Sequence, residues 1–168
     1  MRDHIKPTLR KNPDAIVIHV GTNSLRSSAS VRDCAEEIAN LATMIGNESS
    51  ADLAISGIIP RSDDESVAVK VSGVNKLLKT FCSQNGWGFV DHSNVPPEHD
   101  LNRSGLHLNS KGTARLATNF INYLRDDKGI ADWETNESLL PRVNRKYSNN
   151  KDNQSTINPF GRGMACLL

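Results

Sequence analysis

Two short segments of this 168-residue chain set side chains suited to acyl chemistry beside residues that bend the backbone. In Gly21-Thr22-Asn23-Ser24 a glycine permits a sharp exit, and the Asn23 amide offers the N–H donors that an oxyanion hole requires. Gly21 and Thr22 are the residues of this segment expected to line a substrate. In Asn102-Arg103-Ser104-Gly105-Leu106-His107-Leu108-Asn109, His107 is the only histidine held between a glycine turn and a helix cap, where by itself it reads as a helix-entry residue. Ser24, Ser62 and Ser104 are the hydroxyls near these segments and the candidate nucleophiles. His92, His99 and His107, with Asp91 and Asp100 nearby, sit at spacings of seven and eight through a loop, which predicts no shared face, so no metal site is expected. His19 lies inside an apolar run and reads as a satisfied core residue. Asp63-Asp64-Glu65 reads as a solvated loop at a helix start, where negative charge is favourable.

The elements that position these segments follow from periodicity. Ala15-Ile16-Val17-Ile18-His19-Val20 is β-branched and bounded by turn residues, which predicts a buried parallel strand over 15–20. Val31, Cys34, Ala35, Ile38, Leu41, Ala42 and Ile45 recur at helical spacing, predicting a helix over 30–46 with Ser30 as N-cap and Gly46 near its stop. The cycle repeats with a strand over 53–59 and a helix over 67–85 whose stripe is Val71, Val74, Leu78, Phe81 and Cys82, ended by Gly86. A short strand over 88–91 and a helix over 110–126, its expected core face Ala114, Ala117, Phe120, Ile121 and Leu124, complete the pattern. Strands alternating with helices imply βαβ units and a parallel sheet covered on both faces, so the fold class is α/β.

Composition narrows the function classes. With 20 basic and 19 acidic residues the net charge is +1, which removes the electrostatic case for a nucleic-acid partner. No apolar run reaches the roughly 18 to 20 residues of a membrane span and the start is polar, so the chain is expected to stay in the cytoplasm, away from membranes. Cys34, Cys82 and Cys166 form no paired motif and read as buried free thiols. The domain is expected over 1–128. Residues 129–168, rich in Asn, Ser, Lys and Arg, are expected to form a polar and largely disordered tail, with a short helix around 133–140 as its one apolar feature.

Val17-Ile18-His19-Val20-Gly21-Thr22-Asn23 resembles the third conserved block of the SGNH (GDSL-type) esterase and lipase family. Ser104-Gly105-Leu106-His107-Leu108-Asn109 with Gly112 resembles its fifth block, and Ile55-Ser56-Gly57-Ile58-Ile59-Pro60-Arg61 resembles the strand between them. The resemblance implies a flavodoxin-like three-layer sandwich and ester hydrolysis without a cofactor. It gives Asn23 the oxyanion position and His107 the general-base position, while Ser104 stands where the family has its aspartate. No Gly-Asp-Ser-like segment precedes Asn23, and Met1 falls where the family chain has already passed its first two strands. The expectation is therefore a truncated or degenerate esterase domain, close to inert, whose substrate would be a small ester or acylated compound. The alternative is a non-catalytic binding module that keeps the site. The missing strands would leave one edge of the 15–20 strand open to self-association. The apolar ending Gly161 to Leu168 resembles the junction before an endonuclease domain in some retroelement polyproteins.

Overall fold

The computed structural model describes residues 2–26, 30–125 and 164–167. Helix α1 (Arg2–Leu9) precedes strand β1 (Ala15–Ile18), and α2 (Val31–Glu48), β2 (Asp52–Ser56), α3 (Glu65–Asn85) and β3 (Gly88–Val90) follow. The single turn α4 (Pro97–Asp100), α5 (Ser110–Arg125) and strand β4 (Met164–Leu167) complete the order. The four strands form one sheet in the order β3-β2-β1-β4, and every pairing is parallel. This is the α/β architecture expected from the sequence, and among the described residues no helix is long and apolar enough to cross a membrane.

Local chemistry sets the helix starts. Ser30 and Asp33 form a reciprocal capping box on α2, which satisfies backbone donors that the first turn leaves unpaired. The carboxylate of Asp64 accepts from the N–H groups of Ser66 and Val67 and so caps α3; these bonds, with that from the Ser66 hydroxyl, hold its pKa below the ordinary value. The acidic run expected to lead as a solvated loop into a helix start thus includes the cap itself. Gly86 ends α3 in a left-handed conformation, whereas α2 runs on through Gly46 to Glu48.

Side chains alternate across the sheet, and its two faces differ. Ile16, Ile18, Leu53 and Ile55 pack with Ile38, Ile45, Val71, Val74 and Leu78 of α2 and α3, joined by Ile5 of α1, in one large buried cluster. Each such side chain, fully buried, contributes about 1.5–3 kcal/mol. The opposite face offers only Val17, Ala54 and Val90 to the part-buried Phe120 and Tyr123 of α5. Beyond them, towards the carboxyl ends of the strands, the layer turns polar with His19, Ser56 and His92.

Three expectations need correction. The core face of α5 is turned from the apolar stripe: Leu116, Asn119, Phe120 and Tyr123 are part-buried, while Ala114, Ala117, Ile121 and Leu124 are exposed. On this face the sheet ends in His19, Ser56 and His92, and the rotation of α5 brings the Asn119 amide to His92. The edge of β1 is not open, because Met164–Leu167 pairs along it with Ile18 opposite Leu167. The unpaired N–H and C=O groups of an apolar strand are met by an apolar segment of the same chain. Residues 164–167 are therefore a strand and not part of a structureless tail; the rest of that tail, and the helix expected around 133–140, lie outside the described residues.

Candidate active site

In a parallel sheet the loops beyond the carboxyl ends of the strands form the site. Here they are clasped together. Gly21, which follows β1, has φ +113°, and a Cβ there would meet Ile38 Cδ1 at 2.8 Å and Ile58 Cδ1 at 2.9 Å. Only glycine fits both the backbone and the space. The chain then folds into a 3-10 turn over Ser24–Arg26, with Leu25 buried as its plug and its N–H bonded to the Gly21 carbonyl at 3.4 Å. Asn23 stands exposed at the tip.

Two residues that the sequence did not single out hold this loop and the segment that follows β2. Arg61, 4% exposed, grips the Asp63 carboxylate through Nε at 2.6 Å and also through Nη2, and its Nη1 reaches the Thr22 carbonyl at 3.4 Å. Asn75 of α3 clamps the backbone of Ile58, accepting from its N–H and donating to its carbonyl, both at 2.8 Å. The available signal was an amide beside the stripe of Val71, Val74 and Leu78.

The His107 segment closes on the second loop. The Ser62 N–H donates to the Gly105 carbonyl at 2.8 Å, and a Cβ on Gly105, at φ +68°, would meet Ser62 Oγ at 2.7 Å. An isolated bridge between Leu101 and Leu108 and the bond from Asn102 N–H to the His107 carbonyl at 2.7 Å shape a hairpin with His107 exposed on it. Asn109 then caps α5, its side-chain Oδ1 accepting from Lys111 and Gly112 N–H at 2.8 and 3.0 Å. Ser104 is spent locally: its hydroxyl donates to Asn102 Oδ1 at 2.5 Å.

Two acidic residues are close in sequence, and both are used elsewhere. Asp100 is fully buried, pairs with Arg115 through Oδ2, and keeps Oδ1 without a partner among the described residues. Asp91 accepts the Ser93 N–H at 2.7 Å. Cys34 and Cys82 are buried free thiols, and burial pushes Cys82 up to about 12. Among the described residues no three His, Cys, Asp or Glu side chains gather as metal ligands.

With this geometry in place, similarity to known proteins decides the family. The GDSL-like lipase/acylhydrolase family matches residues 1–115. The chain belongs to this family. As a GDSL-like domain it superposes on the lipase/acylhydrolase from Enterococcus faecalis with a TM-score of 0.61 at 18% identity, over 73% of this chain and 67% of that one. TesA gives 0.59 at 17% identity, over 73% and 69%. A catalytic mutant of an acetylxylan esterase from Geobacillus stearothermophilus gives 0.57 at 12%, over 71% and 65%. At such identities the likeness carries the fold, over about two thirds of each relative's length. No curated protein is significantly similar in sequence.

Proposed function

We propose that this GDSL-like domain, over residues 1–128, holds an ester-hydrolase site at the mouth formed by its three clasped loops. Asn23 is the oxyanion donor, Gly21 and Thr22 line the acyl group, His107 is the general base, and Ser104 occupies the place of the acid. The substrate is a small ester or acylated compound. The observation that carries this reading is the Thr22–Arg61–Asp63 contact followed by the Ser62–Gly105 bond, which links the Asn23 loop to the His107 loop at the carboxyl ends of the strands. The unpaired Cys34 and Cys82 suit a reducing compartment, and on that ground we place its action in the cytosol.

As these 168 residues stand, the site is short of two parts. No Gly-Asp-Ser-like segment supplies a nucleophile. The Ser104 hydroxyl carries no charge to stabilise an imidazolium, and it is committed to Asn102. In serine-triad enzymes, removing the charge of the acid alone costs about 10⁴ in turnover. The expected result is that p-nitrophenyl acetate is hydrolysed no faster with the chain than in buffer, and that His107→Ala changes nothing. A substantial rate abolished by His107→Ala would show that another hydroxyl serves as nucleophile.

A second reading, a binding module that keeps the site without turnover, is favoured by the exposed Asn23 tip and the locally spent Ser104. Shifts of the Gly21 and Asn23 amide resonances on titration with an acetyl ester, without its consumption, would support binding alone.

A further inference from the structure

We infer that His19, Ser56, His92 and Asn119 form an acid-sensitive latch that holds α5, and the His107 loop at its head, against the sheet. This goes beyond the proposed hydrolysis and does not depend on it, since it concerns only how α5 is held.

The four side chains form one directional chain. Asn119 Nδ2 lies 3.0 Å from His92 Nδ1, and its amide also makes a reciprocal pair with Asn94 at 2.8 and 2.9 Å. An amide N–H can only donate, so His92 Nδ1 is bare and its proton sits on Nε2. Nε2–H then donates to Ser56 Oγ at 2.7 Å. The Ser56 hydroxyl in turn donates to His19 Nδ1 at 2.7 Å, which places the His19 proton on Nε2. Every step needs both imidazoles neutral. A proton on His92 Nδ1 would face the Asn119 donor, and one on His19 Nδ1 would leave the Ser56 hydroxyl hydrogen with no acceptor in the chain.

Water cannot easily repair the break. Ser56 and His92 are each 1% exposed. Phe120 stands edge-on to both imidazoles, at 5.9 Å from His19 and 5.4 Å from His92 between ring centres. Among the described residues the charged and titratable groups here are His19, just beyond β1, and Asp91 and His92, just beyond β3; on α5, Arg115 is paired with Asp100 and Tyr123 packs on the apolar cluster, where burial keeps its phenol neutral with a pKa up to about 12. β2 contributes the uncharged Ser56. Burial lowers His19, and burial with His19 alongside lowers His92 from 6.5 to about 4, against an opposing pull from Asp91. Both groups therefore bind protons more readily when released. The stability they contribute is complete above pH 6.5 and is lost as pH falls from there towards 4.

Among the described residues the other ties of α5 are Phe120 and Tyr123 on the small apolar cluster, the Arg115–Asp100 pair, the Asn109 cap, the part-buried Leu116 and the seating of the buried Gly112 on the Asp100 backbone, most of them at the head of the helix. Release of α5 would carry the hairpin of His107 with it.

The test is hydrogen exchange of the whole chain at about pH 7 and about pH 5, corrected for intrinsic rates, with α3 amides as the internal reference. Protection in α5 is expected to fall roughly tenfold or more relative to α3. His92→Gln, which keeps a donor and an acceptor but does not titrate, should remove most of that loss. Asn119→Asp, whose carboxylate accepts from an imidazolium, should move it to lower pH and serves if the first variant folds poorly. Unchanged α5 protection in the wild type, or a loss of the same size and pH in both variants, would overturn the latch. Esterase assays have no bearing on either outcome.

Discussion

The two faces of the sheet are held in different ways. Under α2 and α3 the contacts are apolar and buried, from Ile16 and Ile55 to Val74 and Leu78. Such packing is non-directional and indifferent to pH. Under α5 the apolar part shrinks to Val17, Ala54 and Val90, and attachment depends on directed polar contacts at Asn119, Arg115 and Asn109. The first face makes the fold; the second carries the loop with the candidate base. A helix that is held conditionally is better placed to reposition that loop than one sealed in a dry core.

The largest effect should come from breaking the dry face. Leu78 is fully buried, so Leu78→Ala should cost about 2–5 kcal/mol, measured by urea unfolding. Phe120 on the other face is part-buried, and Phe120→Ala should cost less, about 1–2 kcal/mol. Equal losses would mean that the two faces share the work.

The next effect concerns the sheet edge. Removing residues 161–168 takes away the strand paired to β1 and leaves an apolar edge with free N–H and C=O groups. Sedimentation velocity should show the shortened chain self-associating at concentrations where the full chain stays monomeric. A shortened chain that remains monomeric and equally stable would mean that β4 contributes nothing to the fold.

What the sequence revealed follows the same division. β1 and β2 were legible as nearly continuous apolar runs bounded by turn residues, and α2 and α3 by their 3.6-residue period, because the face they share is apolar throughout. Asn23 and His107 stood out as motif residues, each two positions after a glycine, and the roles given to them are proposals. Arg61 on Thr22 and Asn75 on Ile58 were not, because a polar contact between residues 39 or 17 positions apart leaves no period in the sequence. The short strand β4 was hidden by the polar composition ahead of it. The Ser104 turn illustrates another limit: a motif aligns Ser104 with a family position, but it does not show that the hydroxyl points to Asn102.

The smallest effect tests the least expected feature, the rotation of α5. Read by period alone, Ile121 and Leu124 belong to the core. Yet they are 43% and 39% exposed, while Asn119 turns inward to His92. If the polar contact sets the helix orientation, the outward stripe carries little stability in the described structure. Ile121→Lys and Leu124→Lys should then each change unfolding free energy by no more than about 0.5 kcal/mol, as surface substitutions do. Asn119→Leu, by contrast, would improve the apolar period of the helix but strip His92 of its donor, and it should destabilise by about 1–3 kcal/mol. The paired result separates two accounts of α5. A neutral Asn119→Leu with costly Ile121→Lys would restore the apolar stripe as the buried face and erase the contrast between the two sides of the sheet.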